Sequence, residues 1–302
     1  MCAAERDFDA QWNVPSFMPL GRGSVRVYDI EPVAKTSPVP VIIAMGWLNG
    51  PYTFKGLMRD LVRRGRRVIL IDTPHGFATP KIDGVAHIHA RKMAPIIAFI
   101  LEHRETKDFE NADILGLSEG CIVAVLLKYR HHDLVRHLVL VNPAGLIGKD
   151  HLLLLALRFP SDVVPAFFAR AWKGGLRMKG EGSHTIGSTL TLLRAPHRAL
   201  QSVLAIAASD SRAMLEKIGK RSGRVSVAII ACRDDRAFPV RRIEDTVGSQ
   251  SRLMLEIRPG THNTPPNEPE VFGEVISDCL TKLESQAIVD AGADRVRREA
   301  PR

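Results

Sequence analysis

The sequence predicts an α/β protein with a mostly parallel sheet, helices on both faces of that sheet, and an inserted helical cap. Three observations lead to this fold class. Strand-like and helix-like segments alternate along most of the 302 residues, as they do in βαβ units. Strand candidates such as 39–45 are continuous apolar runs, as expected for strands buried on both faces. Between 146 and 219 the pattern becomes helical, with prolines and glycines and no convincing strand.

Each element follows from its own pattern. The 24–30 segment alternates apolar and polar residues, which predicts an early edge strand, and 52–64 has apolar residues at helical spacing. The helix at 86–105 is expected to be interrupted near Pro95. The other predicted strands are 39–45, 67–71, 112–115, 138–141, 225–231 and 253–257, and the other helices include 121–131, 198–211 and 269–283. We therefore expect a core at 1–145 and 220–284, a cap at 146–219, and a polar tail at 285–302.

Composition narrows the function classes. The net charge is +9, but the basic residues are dispersed and only 6% of residues are aromatic, so we expect a solvated basic surface and no nucleic-acid partner. The four cysteines lie far apart, and the first residues contain no apolar segment of a signal peptide. The longest apolar stretch, 152–157, is too short to span a bilayer and would either line the contact between cap and core or form a membrane-seeking lid. These features predict a soluble, cytoplasmic protein without stable membrane insertion.

The five residues 116–120, Gly-Leu-Ser-Glu-Gly, are the most informative motif. They lie where a predicted strand meets a predicted helix. A serine at such a sharp turn has a strained backbone, and its hydroxyl stands clear of the sheet beside the unpaired N–H groups of the helix. The two glycines are expected because side chains there would collide with the neighbouring strand and helix. Ser118 is therefore a candidate nucleophile; the alternative is a serine that only caps a helix.

A nucleophilic serine needs a base and a carboxylate, and two later loops offer them. The predicted strands 225–231 and 253–257 end in loops that contain Asp235 and His262. Because the carboxyl ends of parallel strands meet at one sheet edge, both loops should open beside Ser118. Asp234 competes with Asp235 for the role of the acid, and His262 could instead be an ordinary loop histidine. Asn142 follows the preceding strand but is not a carboxylate.

With these residues in place, the chain resembles the cap-bearing branch of the α/β-hydrolase family over nearly all of residues 24–284. The motif at 116–120 resembles the serine elbow of that family, Asp235 followed by Pro239 resembles its acid loop, and the Gly-Thr-His262 turn resembles its histidine loop. The order Ser118, Asp235, His262 is also that of the family. The resemblance implies two-step acyl transfer. Backbone N–H groups of Glu119 and, through the Gly46-Trp47 turn, of Trp47 would form the oxyanion hole.

Other candidates are weaker. His75 should lie in a loop facing the site and could contact substrate or be structural, whereas Phe167 and Trp172 of the predicted cap could line an apolar substrate pocket. The histidines in 87–89 and 131–132 have diverging rings and no nearby cysteine, so the sequence predicts no metal. Nothing in the sequence indicates a cofactor.

The function that we expect is a serine hydrolase, esterase-like, that cleaves a small-molecule carboxylic ester or thioester with an apolar acyl part. One alternative is a C–C bond hydrolase or a cofactor-free lyase on the same scaffold, because a fold does not determine its reaction. Another is a catalytically silent binding protein. The sequence does not indicate an oligomeric state.

Overall fold

The fold was analysed in a computed structural model, which describes residues 3–21, 23–47, 49–72, 86–148, 196–222, 225–248, 250 and 252–299. Its strands are β1 (Ser16–Leu20), β2 (Gly23–Ile30), β3 (Val41–Ala44), β4 (Val68–Asp72), β5 (Ala112–Leu117), β6 (Val135–Val141), β7 (Val227–Cys232) and β8 (Leu253–Arg258). Its helices, numbered over the described residues, are α1 (Ala3–Trp12), α2 (Pro51–Arg63), α3 (Ala86–Glu105), α4 (Gly120–Arg130), α5 (Pro196–Ala208), α6 (Arg212–Ser222), α7 (Val240–Gly248), α8 (Thr264–Asn267) and α9 (Pro269–Glu299).

The eight strands form one sheet in the order β1-β2-β4-β3-β5-β6-β7-β8. The β1–β2 and β2–β4 pairs are antiparallel, and every other pair is parallel. The central strands β3, β5, β6 and β7 therefore all end at the same edge. This arrangement confirms the predicted α/β class and its mostly parallel sheet.

Two apolar layers cover the sheet, because side chains of a strand point alternately to its two faces. In β3, Ile42 belongs to the core cluster beneath α3 and α4, whereas Ile43 belongs to the cluster beneath α1, α2 and α9. All four residues of β3 are buried. Helices thus cover both faces of the sheet. The residues of β3 form a continuous apolar run because the strand is buried on both faces, as the sequence predicted.

Two elements at the amino end were not predicted. Helix α1 buries Phe8 and Trp12 against the sheet, but it is short and its mean hydropathy is low. Strand β1 is an edge strand in which only Met18 is buried and Phe17 is exposed. Neither segment carries a long apolar repeat, so the sequence pattern for each is weak.

Two helices differ from their predicted form. Helix α3 runs continuously through Pro95, where an interruption was expected. Helix α9 continues to Glu299, so the predicted end at 283 was wrong. Residues 284–299 contain no proline and include three alanines and three arginines, which favour a helix even where no apolar face marks one.

The predicted cap is described only in part, since 149–195 lie outside the described residues. The helix expected at 198–211 is present as α5, and α6 follows it. Ile206 of α5 and Leu215 and Ile218 of α6 are buried in the same core cluster as α3 and α4. Both helices therefore pack on the core. Among the described helices, none combines the length and apolarity that crossing a bilayer requires.

A buried ion network holds α9 to the edge of the sheet opposite the strand ends described above. Arg136 of β6 donates through Nε to Asp113 of β5 at 2.9 Å and through Nη2 to Glu284 of α9 at 2.6 Å. Arg66 donates to Glu284 at 2.7 Å. Burial alone raises the pKa of Asp113, but the hydrogen bonds and charges of Arg136 and His137 outweigh burial and lower it. The network therefore keeps a fully buried carboxylate ionised.

Replacing Arg136 with methionine should lower the free energy of unfolding by about 3 kcal/mol, because Asp113 would lose its main counter-charge in the interior. Urea denaturation at neutral pH measures the effect. The matched control is Arg104→Met, since Arg104 pairs with Asp133 at 2.9 Å but both side chains are about half exposed. That variant should lose less than about 1 kcal/mol. Equal losses in the two variants would contradict a special contribution from the network.

Candidate active site

The turn after β5 places Ser118 in a strained conformation. Its φ is +54°, a left-handed value that is unusual for any residue with a side chain. The backbone is held there by Ser118 N–H donating to Val141 O at 3.0 Å, and by Cys121 N–H donating to Ser118 O at 3.0 Å. Strain of this kind persists only where surrounding contacts hold it, and it is common at functional sites.

The two glycines of the motif permit this turn because the chain is tightly confined on both sides. A Cβ on Gly116 would lie 2.7 Å from Cys121 Cα in α4. A Cβ on Gly120 would collide with the carbonyl oxygen of Ala44 at the end of β3. The predicted collisions with the helix and the strand are thus confirmed.

Ser118, His262 and Asp235 come together at the carboxyl ends of β5, β8 and β7. Ser118 Oγ lies 3.0 Å from His262 Nε2, and His262 Nδ1 lies 2.8 Å from Asp235 Oδ2. Because a carboxylate only accepts hydrogen bonds, Nδ1 carries the proton and Nε2 accepts from the serine hydroxyl. All three residues are buried. These contacts fit the arrangement that a nucleophile, a base and an orienting acid require.

The acid loop holds Asp235 in a single orientation. Its second carboxylate oxygen, Oδ1, accepts from Phe238 N–H at 2.9 Å, and Phe238 packs edge-on against the His262 ring at a centroid distance of 5.2 Å. Asp234 is exposed to solvent. Of the two neighbouring acids, only Asp235 contacts the imidazole in the part of the chain that the structure describes.

The loop after β3 lies against the serine. A Cβ on Gly46 would be 3.2 Å from Ser118 Cβ, so the Gly46-Trp47 backbone passes directly beside the nucleophile. On the other side, none of the hydrogen bonds found among the described residues uses the N–H of Glu119. Of the two positions that the resemblance suggests for an oxyanion hole, Trp47 thus follows the Gly46 backbone beside the serine, and Glu119 follows the serine in the chain.

The side chain of Glu119 is fully buried directly after the nucleophile. Lys92 Nζ donates to Glu119 Oε2 at 2.6 Å, and His89 Nε2 lies 3.4 Å from Oε1. Burial alone raises the pKa of Glu119, but the charge of Lys92, together with His89, outweighs burial and brings it to about 2. The carboxylate is therefore ionised and its charge is balanced, which matters where an oxyanion would form nearby.

Sequence reasoning did not find Lys92 or His89 as partners of this site. They lie three residues apart on α3 and so share one helix face, which is the only local signal. The predicted candidates His75, Phe167 and Trp172 lie outside the described residues. Among the described residues, no group of three or more His, Cys, Asp or Glu could hold a metal ion.

Three cysteines in the core do not compete as nucleophiles. Cys121, Cys232 and Cys279 are buried free thiols. Burial raises the pKa of Cys232 to about 12 and that of Cys279 to about 11, and it raises the pKa of Cys121 further. Because the thiolate is the reactive form, these side chains act as small apolar groups.

Comparison with known proteins agrees with this fold. Residues 39–174 match the model of the alpha/beta hydrolase fold family. The family match and the sheet order together show that the chain has the α/β-hydrolase fold. A search of curated proteins gave no match.

Solved structures share this fold at low sequence identity. An esterase from Exiguobacterium antarcticum is 18% identical, with a TM-score of 0.63 over 89% of this chain and 100% of its own. A serine hydrolase involved in carbazole degradation is 19% identical, with a TM-score of 0.63 over 89% and 98%. A bromoperoxidase from Bacillus anthracis is 15% identical, with a TM-score of 0.64 over 89% and 100%. These likenesses show the fold alone, and the different reactions in their names show why the reaction must be argued from the site.

Replacing Lys92 with methionine should lower the free energy of unfolding by about 3 kcal/mol at pH 7, because Glu119 would be buried without its cation. In the wild type the lowered pKa of Glu119 stabilises the fold above about pH 4.5, and this stability is lost as the pH falls toward 2. In the variant burial raises that pKa, so the sign reverses and the deficit should shrink as the pH falls from 7 to 4. Urea denaturation across this pH range measures it.

Two controls accompany this variant. Lys220→Met removes a lysine whose pair with Glu216 is exposed, and it should change the stability by less than about 0.5 kcal/mol. The double variant Lys92→Met/Glu119→Gln removes both charges and should recover part of the loss. A deficit in Lys92→Met that does not depend on pH would show that the lysine acts through packing alone.

Proposed function

We propose that the protein is a serine hydrolase that cleaves a carboxylic ester or thioester through an acyl-enzyme. The hydrogen-bonded chain from Ser118 through His262 to Asp235 is the observation that supports this most directly. The strained turn at Ser118 and the flanking backbone at Trp47 and Glu119 are consistent with it. Ser118, His262 and Asp235 would then act as nucleophile, general base and orienting acid.

The proposed mechanism follows from the hydrogen bonds of His262, whose Nε2 is free of a proton and can accept one from Ser118. Ser118 Oγ attacks the substrate carbonyl while His262 Nε2 takes the hydroxyl proton, and Asp235 stabilises the imidazolium that forms. The N–H groups of Trp47 and Glu119 would bind the oxyanion, and each such donor is worth about 3–4 kcal/mol of barrier reduction. His262 then gives the proton to the leaving group. Water, deprotonated by His262, releases the acid and regenerates the serine.

An active-site-directed fluorophosphonate tests the nucleophile. We expect one covalent adduct at Ser118, none in Ser118→Ala, and strongly reduced labelling in His262→Ala, measured by mass spectrometry of the intact protein and its peptides. Asp235→Asn should lower the turnover of an activated ester by about 10⁴-fold, because the imidazole loses its orienting carboxylate.

Two matched controls use neighbouring residues of the same type. Asp234→Asn changes the exposed acid beside Asp235 and should retain wild-type activity. Ser226→Ala changes another buried serine, directly before β7, and should label normally.

Absence of an adduct in folded wild-type protein would refute the proposal and favour a silent binding protein. An adduct without ester turnover would favour a C–C hydrolase or lyase.

The acyl part of the substrate is proposed to be apolar. This follows from the sequence of the predicted cap, including Phe167 and Trp172, and His75 could add a polar contact. With nitrophenyl esters of increasing chain length, kcat/KM should rise by up to about fourfold per methylene, since burying one CH₂ is worth about 0.8 kcal/mol. Phe167→Ala and Trp172→Ala should flatten this trend for long chains and leave the acetate ester little changed. A flat series in the wild type would contradict an apolar acyl group.

A further inference from the structure

Asn142 follows β6, between the strand of the nucleophile and the strands of the acid and the base. It is 1% exposed, and its φ is +45°. Its N–H donates to Ile230 O of β7 at 2.8 Å. Like Ser118, it is one of the few residues with a side chain that adopt a positive φ in the described part of the chain. Such a conformation, fully buried, needs contacts that hold it.

The carboxamide of Asn142 joins the acid loop to the histidine loop. Nδ2 donates to His262 O at 3.1 Å and lies 3.4 Å from Thr261 O, while Oδ1 accepts from Cys232 N–H at 2.8 Å. Cys232 O in turn accepts from Asp235 N–H at 3.2 Å. The Asn142 side chain therefore contacts the backbone of His262 directly, and it is linked to the backbone of Asp235 through Cys232.

The backbone on either side of Asn142 holds the nucleophile. Val141 O accepts from Ser118 N–H at 3.0 Å, and Ala144 N–H donates to Ser118 O at 3.2 Å. The segment 141–144 thus contacts all three loops that carry the triad. None of these contacts involves the side-chain atoms that would react.

We propose that Asn142 is a positioning residue, which sets the distance between the Ser118 hydroxyl and the His262 ring by tying the histidine loop to the acid loop. This inference rests on the proposed function. An amide suits this role, because its NH₂ group donates to carbonyl oxygens on one side while its oxygen accepts from an N–H on the other. A displacement of about 1 Å in a catalytic group can lower the rate by about 10²-fold.

Two substitutions separate the parts of this role. Asn142→Asp keeps the shape and the acceptor but removes the donor and places a carboxylate against the carbonyl oxygens of Thr261 and His262. Asn142→Gly accepts the positive φ without strain but removes both contacts. We expect kcat for a nitrophenyl ester to fall by about 10- to 100-fold in both, with KM changed less than threefold, because Asn142 is expected to touch no substrate.

The matched control is Lys128→Met, because Lys128 of α4 contacts the opposite end of the same strand, β6. Lys128 is a buried donor to the backbone carbonyls of Val135 (2.6 Å) and Arg136 (2.9 Å). This variant should lower the melting temperature at least as much as Asn142→Gly while kcat stays within about twofold of wild type. A decrease in kcat that follows the melting temperature equally in both variants would overturn the proposal.

A spectroscopic readout is independent of turnover. The proton between His262 Nδ1 and Asp235 gives a downfield NMR resonance, which we expect to shift or broaden in Asn142→Asp and Asn142→Gly but not in Lys128→Met. An unchanged resonance together with wild-type kcat would overturn the proposal. If Asn142→Asp does not fold, the kcat and the resonance of Asn142→Gly alone test the proposal. If the wild type forms no fluorophosphonate adduct, the proposed function fails, and the resonance still decides whether Asn142 positions the histidine.

Discussion

The close approach of three chain segments around the turn after β5 is the constraint on which the candidate site depends. The end of β3, the turn and the start of α4 lie so near one another that only hydrogen fits at Gly116 and Gly120. This confinement holds Ser118 at its positive φ. The serine is therefore presented by backbone packing, and its own side chain needs no further support to point away from the sheet.

Charge within this confined region is balanced locally. Glu119 is ionised although it is fully buried, because Lys92 from α3 lies against it. The turn is thus connected to α3 through the Lys92–Glu119 ion pair, which would resist any movement of that helix relative to the turn. The Arg136 network does the same at the opposite edge, where it fixes α9. These two sets of polar contacts therefore fix the positions of α3 and α9, which apolar packing alone would define less precisely.

Much of the architecture could be predicted from residue patterns, for reasons that are visible in the structure. The strands β3 and β7 are buried on both faces, so their sequences are continuous apolar runs. Strand β1 escaped prediction because an edge strand buries little. The continuation of α9 escaped it because residues 284–299 have helix-forming composition without a marked apolar face. Residues outside the described ranges, including most of the predicted cap, leave that part of the prediction untested.

The candidate site divides along similar lines. The loops of Ser118, Asp235 and His262 could be placed at one sheet edge because parallel strands end together. The partners of Glu119 and the contacts of Asn142 could not, since they join residues far apart in the chain through side-chain geometry. In the sequence Asn142 stands out only as a position without a carboxylate, whereas in the structure its amide links the acid loop to the histidine loop. A sequence pattern can identify the residue types that a reaction requires. It does not identify residues that position those groups through side-chain contacts.

The separation of 144 residues between Ser118 and His262 has a consequence for the order of assembly. During synthesis Ser118 leaves the ribosome long before His262, and closing so long a loop is a late, entropically unfavourable event. A partly made chain therefore carries a serine hydroxyl of ordinary, low reactivity. In the proposed mechanism the hydroxyl would become reactive only when β8 docks on β7, which would couple catalysis to completion of the sheet.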